Sequence, residues 1–596
     1  MRISLSRFFI ALGIGLTIGT SAYVPKINDA GVVTHWSFDD PPPSVASSIF
    51  NRTTRAIRFS LAEDAFSEAH RESELNALRN AIGQWEAVPG TFLKFEEGDL
   101  APESLEINPS DDTNIIKWAK GSTLINGGKT DIRNRLGLAL TLFFADGRMA
   151  AADIALNGVE IEWFADPSNV VEDAHFIEGA VMHELGHVLG LDHTAIATAT
   201  MFARDGDNLG FQFGLSSDEI AFVQTVYGEP ATLNTLGTIE GEVTIDGQGA
   251  LGAALFLEQD GIIIASTVSR EATDINTTGF YEFLGVPPGT YELRAQPLAS
   301  ATVNRALVRG RDISFSRFND ADVNFLPTEA ISVSVTAGNT VVRHFDLDSA
   351  AQPFLIDRIR GFTENPNSVF AGNSPVTVLQ GETDLRLGVF GPDLPTENVE
   401  LIITGDGLTM GATEINTQFF NGLPHLFRTV SVAPNATPGM RSFIVQRGSD
   451  LAYASGFIEV RATDPDDNFD GLSDNFQRQF FNPFTSAEAG PDADPDGDGL
   501  SNREEAIAST NPTIPNGPSP STDPFEIQSV TLTTNGAVIV FESSESVSYQ
   551  LYTRERIGQG EWQPVGVPQP ANSGTTTIVD PSASGDIRFY EVRTVD

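Results

Sequence analysis

The sequence predicts a multidomain protein: an α+β domain first, then all-β sandwich modules and an acidic spacer. Three observations carry that prediction. The chain has 596 residues, about four times the roughly 150 that one domain uses. Up to Gly228 apolar residues recur with both strand and helix periods, whereas beyond it helical periodicity stops and short alternating runs separated by Gly, Pro or Asn take over. A stretch rich in Asp, Pro and Gly, 463–523, then interrupts the β pattern before a last β module at 524–596.

Composition narrows the function classes. With 80 Asp+Glu against 36 Lys+Arg the net charge is −44, which repels phosphate backbones and anionic lipid, so neither nucleic acid nor a membrane face is an expected partner and calcium is. The 40% hydrophobic content, including 40 Phe, supplies cores for folded modules. There is no cysteine. Disulfides, thiolate metal sites and cysteine nucleophiles are therefore excluded.

Taken in order, residues 1–22 place Arg2 and Arg7 before an apolar run from Phe8 to Ile18 and the small residues Thr20, Ser21 and Ala22. This reads as a cleavable secretory signal, too short to span a bilayer, and predicts a secreted protein with no membrane span. Residues 23–228 form the α+β domain. Within it IRFSLAEDAF alternates, Leu75, Leu78, Ile82 and Trp85 recur at helical spacing, and extended runs follow at 114–119, 138–145 and 152–157. A helical pattern then begins near Asp173 and ends at Leu189.

That last helix carries the chemistry. HELGHVLGLDH, from His183 to His193, fits H-E-x-x-H-x-x-G-x-x-H at every fixed position. Residues four apart lie one above the other on a helix, so His183 and His187 can present two imidazole nitrogens to one ion. Gly190 can take a left-handed conformation, end the helix and bring His193 back as the third ligand. Three neutral imidazoles with one open position are the donor set of a catalytic zinc, and Glu184 is placed to act as the general base for water activated there. A bland alternative is a buried polar cluster or an inactive remnant of such a site. His175, two turns before His183, is near the site without a ligand role, and His35, His70, His344 and His425 are assigned packing or surface roles.

At these residues the chain resembles the metzincin metallopeptidases, and within them the matrixin-like branch, across residues 23–228. Met201, eight residues after His193, is similar to the methionine turn beneath the metal in that family. Thr194 fits the matrixin-like branch, LSSDEIAFVQTVYG (215–228) resembles its last helix, and ADIALN (152–157) resembles the edge strand that pairs with an extended substrate. The resemblance implies a zinc-dependent endopeptidase acting on protein or peptide substrates. Latency by a propeptide thiol finds no support without cysteine, and no tyrosine follows Met201 by two residues to serve as a further ligand. Because the motif, Met201 and the last helix all precede Gly228, residues 23–228 are expected to hydrolyse small peptides alone.

The β modules follow. Gly279, Phe280, Tyr281, Gly285, Pro287, Pro288, Gly289 and Tyr291 make 238–349 resemble the carboxypeptidase regulatory-like sandwiches. FGPDLPTENVELIITGDGLTM and APNATPGMRSFIVQRG make 352–462 resemble immunoglobulin-like domains. In the spacer, Asp494, Asp496, Asp498, Leu500, Asn502 and Glu505 stand at positions 1, 3, 5, 7, 9 and 12 of a calcium loop, with Gly499 at position 6. Asp466, Asn468, Asp470, Leu472 and Asp474 repeat the pattern, but Gln477 at position 12 is no bidentate carboxylate, so this copy is expected to bind Ca2+ more weakly. The pair resembles thrombospondin type 3 or dockerin-like repeats; an acidic solvated linker is the alternative. A rival to the peptidase reading as a whole is a non-catalytic adhesin or matrix-binding protein, whose β modules bind an extracellular polymer and whose first domain is a scaffold.

Overall fold

The computed structural model describes residues 23–28, 31–171, 173–203, 214–272, 277–299, 307–314, 318, 323–361, 370–418, 422–515, 527–543, 548–554, 562–571, 574–583 and 588–595. The signal segment 1–22 lies outside the described residues. Two compact units are present, 1–491 and 492–596, and the division falls inside the spacer.

The first unit begins with a twisted sheet and three helices. Strands β1 (Ala56–Leu61), β2 (Phe95–Glu97), β3 (Ile115–Ala119), β4 (Gly137–Phe143) and β5 (Met149–Asn157) run in the spatial order β2-β1-β3-β5-β4. All neighbouring pairs are parallel except β4 with β5, which form an antiparallel hairpin. Helix α1 (Arg71–Glu86) buries Leu75, Leu78, Ala81 and Trp85 at three- and four-residue spacing. Each buried leucine contributes about 1.5–3 kcal/mol, and the Trp85 indole donates to Met182 O at 3.0 Å, tying α1 to the next helix.

Two expectations need correction here. ADIALN is not at the sheet edge, because it lies in β5 between β3 and β4 with almost every residue buried. The hairpin turn at 144–148 folds β4 outside it, and β4, half exposed at Leu142 and Phe143, is the edge. Nor does the helix that carries His183 and His187 start near Asp173: Asp173 has φ +61° in a turn, and Ala174–Phe176 pairs in parallel with Glu162–Phe164 before α2 (Ile177–Leu189) begins. The extended pair absorbs the apolar residues that mimic helical spacing. His175 therefore sits on a strand, edge-on to Trp163 at 6.3 Å. Helix α3 (Ser217–Val226) opens with a capping box between Ser216 and Glu219.

The β modules are joined to this domain and to each other. One core contains Leu185, Met201 and Phe222 from the first domain and Ile239, Val243, Leu255, Tyr281 and Phe283 from the first sandwich. A single eight-stranded sheet runs from Ile331–Val335 through Ala253–Gln259 and Ile262–Val268 to Gly439–Arg447, Asp450–Arg461 and Val376–Leu379, crossing from 238–349 into 352–462. The crossing is one antiparallel pairing, Ile263 with Met440. Beside it the buried Arg294 guanidinium bonds Glu258 at 2.7 Å and Ser455 at 2.9 Å.

The chain then returns to the first domain. A short turn, α4 (Gly310–Ile313), packs near the end of α2, and α5 (Asp474–Phe480) brings Arg478 onto Glu178, a fully buried carboxylate on α2, at 2.6 Å. Gln84 also donates to Glu178 at 2.6 Å, and Asn76 and Asn80 bond the main chain of Asn482 and Phe484. These contacts argue against an autonomous 23–228 domain. In the second unit α6 (Asn502–Ala508) precedes two three-stranded sheets that share a core of Ile539, Phe541, Tyr549 and Leu551. Among the described residues no helix is long and apolar enough to cross a membrane.

Candidate metal centre

Gly190 ends α2 with φ +112°, and the main-chain N–H groups of Gly190 and Leu191 both return to Gly186 O, at 3.1 and 2.9 Å. A Cβ at position 190 would lie 2.0 Å from Thr34 O. Glycine is thus required twice, for the turn and for the close approach of the N-terminal segment, which pairs with the same loop through Lys26 N–H to Gly190 O and Asp192 N–H to Val24 O, both 2.8 Å.

The turn brings His183, His187 and His193 together, with one ring nitrogen of each within 4.8 Å of the others. His183 Nδ1 donates to Thr200 O at 2.7 Å and His187 Nδ1 to Leu191 O at 2.8 Å. The His193 side chain bonds the Asp312 main chain. Nδ1 protonation leaves a lone pair on Nε2 of His187, which faces His193 Nε2 at 3.2 Å. Two ligands at about 2.0–2.1 Å from a tetrahedral ion stand roughly 3.3 Å apart, so the spacing fits zinc. Burial, and then the neighbouring imidazoles, push His183 down to about 3 and His187 well below the usual histidine range. Burial lowers His193 too, against the pull of Asp192. All three are thereby kept in the neutral form, which is the form of imidazole able to bind a metal.

Glu184 lies on the same turn of α2, buried, and is pushed up to about 7 by burial, against the Ala139 N–H that it accepts from β4 and the charges of Lys26 and Arg135. Its Oε2 has no partner among the described residues. Gly137 keeps this approach open, since a Cβ there would stand 2.9 Å from Glu184 Oε1. The Glu184 carboxylate is therefore placed against β4, the free edge of the sheet, one residue after His183 on α2. Lys26 reaches across to the same edge and donates to Thr141 Oγ1 at 2.8 Å.

Met201 lies below the histidines. Its Sδ fills the face of α2 opened by Gly186, where a Cβ would be 2.2 Å away. Its N–H donates to Glu219 Oε1 at 2.9 Å and its carbonyl accepts from Thr194 N–H at 3.0 Å, so the cap of α3 holds the turn that also supplies Thr200 O.

The two acidic loops differ. Asp494, Asp496 and Asp498 bring carboxylate oxygens within 4.8 Å of one another, Asp498 accepts from Leu500 N–H at 2.9 Å, and Asp498, Asn502 and Glu505 are buried. Asp496 Oδ2 has no partner among the described residues. In the other copy Gln477 Nε2 donates to Asp470 at 2.7 Å and to Ala489 O at 2.8 Å, while Asn468 donates to Gln477 Oε1 at 3.0 Å. Asp466 accepts from the Asp470 and Gly471 N–H groups, Asp474 accepts from Asp467 N–H, and Leu472 is buried.

Sequence reasoning missed the three carbonyl anchors at Thr200, Leu191 and Asp312, and it missed Lys26. No sequence signal could have found the carbonyls, since every residue carries one.

No curated protein matches the chain. Among solved structures, domains A168-A170 from titin overlap at 10% identity and a TM-score of 0.10, covering 58% of this chain and 84% of that chain. The native conformation of E. coli alpha-2-macroglobulin overlaps at 10% identity and a TM-score of 0.12, covering 59% of this chain and 18% of that chain. Overlap at this level carries no argument. Residues 50–228 match the peptidase family described as Matrixin, and the histidine triad lies within that stretch, which is thus similar to a metzincin-like metallopeptidase domain.

Proposed function

We propose that the protein is a secreted, zinc-dependent endopeptidase. The observation that carries this reading is the convergence of His183, His187 and His193, with Glu184 beside them at the open edge of β4. The three Nε2 atoms would hold the ion, which supplies Lewis acidity to water and to a scissile carbonyl. Glu184 takes a proton at its carboxylate and returns it to the leaving amine, and its raised proton affinity suits both directions. The outer edge of β4 aligns an extended peptide by main-chain hydrogen bonds, as strand addition does elsewhere. Protein chains are therefore the substrate class. The loop of Asp494, Asp496, Asp498, Leu500, Asn502 and Glu505 takes Ca2+ in this reading, and the copy at Asp466–Gln477 takes it more weakly, because Gln477 offers no bidentate carboxylate.

Glu184→Ala is expected to keep zinc while losing at least about 10²–10⁴-fold in peptide hydrolysis. His187→Ala is expected to lose metal and activity together. Zinc content and turnover of a quenched peptide check both, and near-normal turnover by Glu184→Ala would leave the scaffold-adhesin reading in its place.

A further inference from the structure

We infer that Asp312, in a sandwich module outside the peptidase match, is a positioning residue of the metal centre, holding His193 through a turn that its own carboxylate staples shut. The inference rests on the zinc reading above.

The three histidines are not equally supported by their own domain. His183 and His187 ride on α2 and find carbonyls 17 and 4 residues away. His193 has left the helix at Gly190, and beyond a helix end no regular ladder fixes a side chain. What fixes it is α4: the His193 ring bonds the Asp312 main chain, and the His193 N–H reaches Ile313 O at 3.3 Å, shared with Asp192 Oδ1 at 3.2 Å. Ring and backbone are thus both gripped by two consecutive residues of another module.

That grip is itself rigid. The Asp312 carboxylate accepts from Arg309 N–H at 2.9 Å, Nε at 3.0 Å and Nη2 at 3.1 Å, and Arg309 O accepts from Asp312 N–H at 2.9 Å. Ile313 is fully buried in a cluster with Val24, Ala195, Ile196 and Leu298, which draws on the N-terminal segment, the loop after His193 and the first sandwich. Groups that orient metal-binding histidines typically change metal affinity about 10–100-fold when lost.

The test uses the full chain. Zinc affinity is measured by chelator competition, with the visible spectrum of the Co2+-substituted protein and the melting temperature of the metal-free protein alongside. Asp312→Ala and Arg309→Ala remove the staple and are expected to weaken zinc about 10–100-fold and to shift the Co2+ bands. Asp312→Asn removes the charge but keeps one amide oxygen that can accept from Arg309 N–H and Nε, and is expected to lose clearly less than Asp312→Ala, staying within about threefold of the parent. Should Asp312→Asn lose as much as Asp312→Ala, charge and not positioning is at work and the inference falls. It falls equally if all three variants bind zinc like the parent, or if affinity only follows metal-free melting temperature. A parent chain that binds no zinc would instead overturn the zinc reading itself.

Discussion

Gly190 meets two demands at once, a left-handed backbone and a Thr34 carbonyl in the space a Cβ would fill. Substitution by alanine must strain the turn or push away the N-terminal segment. A residue forced into a sparsely populated backbone region costs about 1–3 kcal/mol before any clash is counted. Gly190→Ala is therefore expected to lower the melting temperature of the metal-free protein and to weaken zinc, since His193 hangs from this turn; thermal unfolding and chelator competition read the two effects. At this scale the sequence was most informative. Helix geometry alone dictates that residues four apart share a face, so the triad and Glu184 could be read directly, as could the need for glycine after the second histidine. The partners of the ring Nδ1 atoms could not, because a carbonyl 17 or more residues away depends on tertiary packing.

Among elements, α5 shows how a distant segment stabilises α2, the helix that carries His183 and His187. Glu178 on α2 is fully buried, and its ion pair with Arg478 is shielded by Phe484, which lies 3.8 Å beneath the guanidinium. Removing one member of a buried pair typically costs 3–5 kcal/mol, whereas replacing both by apolar groups can be neutral. Arg478→Met is expected to destabilise by about that much, and Glu178→Leu in the same chain to recover most of it, as measured by denaturant unfolding. The acidic loop before α6 gives a second test. Extracellular calcium loops bind at about 10⁻⁴–10⁻³ M, so at ~10 mM Ca2+ the folded loop gains roughly 1.4–2.7 kcal/mol. Calcium is expected to slow nicking between Asp492 and Pro512 by an added protease, and Glu505→Ala to abolish that protection, both in a Glu184→Ala background. Element types were legible from periodicity, while their order in the sheet was not. Runs 138–145 and 152–157 look equally apolar, and only the hairpin between them decides which becomes the edge.

At the scale of the whole molecule, the boundary at Gly228 is a boundary of sequence pattern more than of packing. Ser217 donates to Ile264 O at 2.6 Å, Ser266 N–H to Asp218 at 2.8 Å, and Thr198 N–H to Gly456 O at 2.8 Å, all across it. A fragment of residues 23–228 is expected to lack a cooperative melt and to bind zinc weakly, while 23–491 retains both; calorimetry and metal titration compare them. Full zinc affinity in the short fragment would show these contacts to be dispensable. Periodicity could not announce them, because a strand that buries one face against its own sandwich looks the same as one that buries it against a neighbour. The ion pair of Glu178 and Arg478 also sets a clock. Its members are 300 residues apart, and a ribosome adding about 5–20 residues per second needs roughly 15–60 s to pass from one to the other. Throughout that interval the Glu178 carboxylate has Gln84 but not its cation, so α2 reaches its full set of partners only after residue 478 has been made.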